Sequence, residues 1–213
     1  MKVKKRVGWI LRTFRNRDPD FMKFIWKVYI IPKIDYCSQL WSPRGGGLLT
    51  KLENLQRDFT SRINTMGHLD YWQRLERLKM ISISRRFERY KIIYSRKIIM
   101  GLVPNCGLEW DWSRKGCMFR VKYSPNSTAT GVKTFRLNSF QIQGPSLFNI
   151  LPQQLRDSSE PADIWKTNLD KFLESLPDRP IVTGLDSGLC DRFTSQPSNS
   201  IIEWMGLLVR NGN

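Results

Sequence analysis

From residue 3 to residue 98, apolar side chains return every three or four positions, and lysines and arginines fill many of the gaps. That interleaving constrains the fold more than any other feature of the chain. A period near 3.6 calls for helices that bury one stripe, while the cations between must reach water or an acid. Val3, Val7, Ile10, Leu11 and Phe14 define one stripe. Leu48, Leu52, Leu55, Phe59, Ile63 and Met66 define a second, and Ile83, Phe87, Tyr94 and Ile98 a third. "NRDPD" at 16–20 breaks the first helix and offers Asp18 or Asp20 as the next cap, with Pro19 in the following turn. From Phe21 a helix is expected to run toward Trp41, kinked or divided where Pro32 removes a donor. "SPRGGG" at 42–47 reads as a hinge, and Asp70 as the cap of a short helix carrying Trp72, Leu75 and Leu78. Gly101 and Pro104 end the longest helix.

Beyond Pro104 the periodicity weakens. Residues 117–123 alternate as a strand would, and 134–143 are their expected hairpin partner. Ile164, Leu169, Phe172, Leu173 and Leu176 form the apolar face of a closing helix. The expected fold is therefore mainly α. A basic helical bundle spans 1–104, an irregular α+β part with a short hairpin and the closing helix spans 105–180, and a loosely ordered tail spans 181–213. That tail carries a short helix near 201–209. No apolar run approaches the roughly 18 residues that cross a membrane. Arg12 and Arg15 interrupt the only segment resembling a signal peptide, so the expectation is an intracellular protein, cytoplasmic or nuclear, without a membrane partner.

Catalytic constellations are not visible. The cysteines stand at 37, 106, 117 and 190 without a CxxC pair, and His68 is the sole histidine, so neither zinc nor a nucleophile–base pair is expected. There is no phosphate-cradling glycine loop and no adjacent Asp-Asp pair for a two-metal site. Cys37 and Asp35 are read as a packed thiol and a capping or paired acid beside Pro32. Catalytic and metal-binding residues are thus expected to be none, and cofactors none.

Binding is what remains. Residues 1–100 carry a net charge of +15, whereas residues 151–213 carry −3. Such a field attracts polyanions, nucleic acid foremost. On a helical wheel Arg85, Arg89 and Arg96 fall within about 40° of one another, opposite the Ile83–Phe87–Tyr94–Ile98 stripe and flanked by Arg86 and Lys97. With Lys2, Lys4, Lys5 and Arg6 near the start, these nine residues are the candidate phosphate contacts. Tyr71, Trp72, Trp110 and Trp112 are the candidate stacking surfaces for bases. A helical protein-interaction module is the competing reading of the same helices.

Five stretches in order carry a resemblance. They are "WKVYIIPKIDYCSQLWSP", "KLENLQRDFTSRI", "YWQRLERLKMISISRRFERYKIIYSRKIIMGLVPN", "RLNSFQIQGPSLFNILPQQLRD" and "IWKTNLDKFLESLPDRP". Together they resemble the carboxy-terminal region of reverse transcriptases from non-LTR (LINE-type, jockey-like) retrotransposons, over about residues 1–180. The resemblance implies a thumb-like helical part and a downstream extension that hold template RNA and primer DNA. It implies that the family's Tyr-x-Asp-Asp aspartates, and the Mg2+ they use, belong to a palm upstream of the region seen here. The expectation is a detached, non-catalytic fragment whose partners are RNA or an RNA–DNA hybrid, and a palm-containing polymerase domain.

Overall fold

The computed structural model describes residues 2–38, 47–105, 107–113, 116–120, 139–180 and 200–211. It is mainly helical, with one short antiparallel hairpin among the described residues. The chain divides into two compact units, Met1–Phe87 and Glu88–Asn213.

The first unit contains α1 (Lys2–Thr13), α2 (Pro19–Ile25), a π-helical turn (Trp26–Ile30), α3 (Ile31–Asp35), α4 (Gly47–Ser61) and α5 (Tyr71–Leu78). Residues 83–87 of α6 (Ile83–Ile99) also belong to it. Its core gathers Val7 and Ile10 of α1 with Met22, Trp26, Ile30 and Ile34, and with Leu52, Leu55 and Phe59 of α4. Trp26 and Phe59 lie with ring centroids 4.7 Å apart. The caps follow the sequence: Asp18 accepts from the Asp20 and Phe21 amides, and Asp70 forms a reciprocal capping box with Gln73.

Pro32 has the expected effect in an unexpected form. Its ring and missing N–H disrupt the regular ladder, and the preceding turn widens so that the Ile31 amide bonds to the Trp26 carbonyl five residues back. The extra residue rephases the buried stripe, placing Ile30 and Ile31 inward and Val28 and Tyr29 outward. The helix ends at Asp35, earlier than expected; Tyr36 is extended and Cys37 takes a left-handed conformation (φ 53). Leu40 and Trp41 lie outside the described residues.

The second unit holds the rest of α6, β1 (Glu109–Ser113), β2 (Gly116–Arg120), α7 (Phe140–Asn149), α8 (Gln153–Arg156), α9 (Ala162–Glu174) and α10 (Ile201–Asn211). The hairpin pairs β1 with β2, setting Trp110 opposite Phe119 and Trp112 opposite Cys117. This corrects the expected partner, since residues 140–143 are helical and 134–138 lie outside the described residues. Gly116, at φ 86, closes the turn against the Asp157 carboxylate, which leaves no room for a Cβ and accepts the Cys117 amide at 2.6 Å. In α9 the buried face is Trp165, Leu169 and Leu173, while Ile164 points out. The helix expected near 201–209 is α10, whose first residue, Ile201, is fully buried; residues 181–199 of the expected tail lie outside the described residues. No described helix is long and apolar enough to cross a membrane.

Candidate nucleic-acid interface

The nine candidate cations separate into two groups with different surroundings. The four arginines of α6 are buried or half-buried. Arg85 is 1% exposed and Arg96 7% exposed. Arg86 grips Asp35 with a fork, Nε to Oδ1 at 2.9 Å and Nη2 to Oδ2 at 3.1 Å. Arg89 grips Asp170 in the same manner, at 2.5 and 2.8 Å. Arg96 donates through Nη2 to the Ser158 and Glu160 carbonyls, at 3.1 and 2.6 Å, with its guanidinium 4.4 Å from the Trp165 ring centroid. Burial pulls its pKa below the usual arginine range, and the Glu160 charge opposes that. The expected stripe of three outward guanidiniums therefore does not exist. The face opposite Ile83, Phe87 and Ile98 is also covered, as buried Ile92 beside Arg85 and Arg96 shows, and only Lys97 of the five α6 candidates is exposed.

The cations of α1 are different. Val7 and Ile10 fix its inner face in the core, and Lys4, Lys5 and Arg6 are exposed, joined by Arg12 and by Arg15 just past the helix end. The Lys2 side chain lies outside the described residues. No acid occurs in α1, and among the described residues no ion pair engages these five side chains. On the wheel Lys5, Trp9 and Arg12 share a sector about 60° wide directly opposite Val7 and Ile10. Arg12 lies back along the helix over Gly8, its Nη1 3.6 Å from where a Cβ would stand.

Trp9 is 48% exposed and meets Phe14 edge-on at 6.1 Å, leaving part of its ring open between the cations. Trp9 is not among the stacking surfaces expected from the sequence, because a tryptophan on an amphipathic helix is ordinarily core; its offset from the Val7–Ile10 stripe is the signal the sequence offers. Three of the aromatics proposed for stacking are engaged elsewhere. Tyr71 is buried with its hydroxyl donating to Glu53 at 2.5 Å, Trp72 is half-buried against Tyr71, and Trp110 packs on Phe119. Trp112, in the second unit, is 61% exposed.

Among the described residues no three His, Cys, Asp or Glu side chains gather as metal ligands, and His68 is exposed in a turn. Compared with protein-family models, curated proteins and solved structures, the chain matches none.

Proposed function

We propose that the chain is a non-catalytic nucleic-acid-binding protein that holds the phosphate backbone of RNA or an RNA–DNA hybrid on the outer face of α1. The single observation carrying this reading is the acid-free exposed face of Lys5 and Arg12 around a half-exposed Trp9, with exposed Lys4 and Arg6 on its two flanks. Ammonium and guanidinium groups release counterions when they meet phosphates, which gives affinity without sequence preference. An indole between them adds stacking on any base. The first unit as a whole supports it, with 19 basic and 7 acidic residues for a net +12. The role of the α6 arginines in this reading passes to α1. The resemblance to the carboxy-terminal region of non-LTR reverse transcriptases agrees in kind, since that region holds template and primer.

The test is anisotropy of a labelled single-stranded RNA and an RNA–DNA primer–template across a salt series. Replacing Lys4, Lys5, Arg6 and Arg12 with alanine together should flatten the slope of log K against log salt by roughly 2–3 on single strands. Equal binding and an equal slope in the quadruple variant would overturn the assignment.

One observation favours a second reading, a helical interaction module. Phe24 (60% exposed) on α2 and Val28 in the π-helical turn leave apolar surface open, and Tyr36 (76% exposed) does so just past α3. A concentration-dependent self-association removed by Phe24→Ser would favour it.

A further inference from the structure

A cleft of about 340 Å3 opens in the first unit between the start of α2, the turn following α4 and the end of α5. Buried Met66 and Leu78 supply apolar lining, and Lys23, Arg77 and Lys79 bring three cations to it against the one acid, Asp20. Among the described residues none of the three forms an ion pair. Partial burial holds Lys23 below the ordinary lysine range; the Lys27 ammonium adds to this, Asp20 opposes it, and Lys79 again lowers it. Within the cleft Asp20 faces Lys23 and outweighs the Lys79 charge there, so the space carries three cations and one acid.

The backbone here is unusual as well. Three described non-glycine residues have positive φ, and two of them, Thr65 (φ 64) and Lys79 (φ 50), line this cleft. Lys79 takes the left-handed position just past the end of α5, where glycine is the common choice. A lysine there accepts backbone strain that glycine would avoid, and such strain concentrates where a side chain must be aimed.

We propose that this cleft binds a phosphate monoester, with Lys23, Arg77 and Lys79 as its cationic contacts. A dianion with three acceptor oxygens meets three cationic donors around one cleft. The volume lies at the low end of the small-ligand range, enough for one phosphate and a small organic body and too small for a duplex. This function is separate from backbone binding on α1. The monoester has two sources, a free nucleotide or the 5′ end of a strand.

The full chain is titrated with a nucleoside 5′-monophosphate, followed by the thermal shift, and with 5′-phosphorylated and 5′-hydroxyl forms of one RNA. A shift with the mononucleotide and no preference between the RNAs identifies the free nucleotide; a preference for the phosphorylated RNA identifies the strand end. Either outcome supports the site, provided that Arg77→Ala and Lys79→Gly each weaken it on the order of tenfold. Lys79→Gly also controls for folding, because it removes the cation and relieves the backbone, so the ligand-free melting temperature should hold or rise. Absence of both responses at millimolar ligand, or full retention in both variants, overturns the proposal. Salt-dependent binding of the 5′-hydroxyl RNA by Lys79→Gly reports on α1 alone, so each reading can fail without the other.

Discussion

Helices α1 and α6 are both rich in lysine and arginine and both show apolar residues at helical spacing, yet they use their charges in opposite ways. In α1 one side is sealed by Val7 and Ile10, and the other carries Lys5, Trp9 and Arg12 with no acid beside them. In α6 the arginines are part of the interior. Arg86 and Arg89 close forks on Asp35 and Asp170, and Arg96 ties two carbonyls and covers a tryptophan. A cation on a helix is therefore a binding group only if nothing folds over it. Guanidinium suits the internal role because its planar fork satisfies several acceptors at once and it is weakly hydrated; an ammonium loses more on burial.

Removing an internal guanidinium is the most forceful way to break this comparison. Arg96→Ala deletes two charge-assisted hydrogen bonds to the Ser158 and Glu160 carbonyls and one stacking contact on Trp165. The expected loss is about 3 kcal/mol in the second unit, measured by urea denaturation. Arg96→Lys should recover little, because a single ammonium cannot span both carbonyls and lie flat on the indole. A loss below about 0.5 kcal/mol for Arg96→Ala would place Arg96 with the solvated cations of α1.

A pH titration sharpens the contrast from the second unit's side. Cys117 is fully buried on β2, and burial, then the nearby Asp157 charge, pushes its thiol from an ordinary value near 9 up to about 11. The folded chain thus holds this proton more tightly than the unfolded chain. Its contribution is whole below pH 9 and is lost as pH rises through about 11, because the unfolded thiol ionises first. Wild type should lose on the order of 2 kcal/mol more than Cys117→Ala across that window. Parallel stability curves for the two proteins would show that the thiol is not shielded as the geometry implies.

What the sequence made legible was local. Asp18 before Pro19, and Asp70 three residues before Gln73, could be read as caps because the bonds they make span only two or three positions. The helical stripes were legible for the same reason. The fate of the α6 arginines was not, because a wheel gives directions around an axis and says nothing of what covers them. Asp35 lies 51 residues from Arg86, and Asp170 lies 81 from Arg89. The hairpin partner was missed on similar grounds. "EWDWS" alternates as well as the chosen segment did, and the choice depended on a tight turn at Gly116 that Asp157, far along the chain, helps to fix. Trp9 was missed because burial is the usual fate of a tryptophan, and only its offset from the stripe argued otherwise.

The smallest expected effect on stability is the most informative about α1. Lys4 and Lys5 sit in the first turns of a helix that has no acid there. The positive end of the helix dipole repels them, so the fold gains nothing from their charge. Replacing both with alanine should leave stability unchanged or raise it by about 0.3–1 kcal/mol, as read from the urea midpoint. The same variant should weaken RNA binding and flatten its salt dependence by about 1.4 on single strands. Charges that oppose their own helix, and that under the proposed function serve only a ligand, are what separates α1 from α6. A double variant that destabilised the first unit as Arg96→Ala destabilises the second would erase that distinction, and the α1 interface with it.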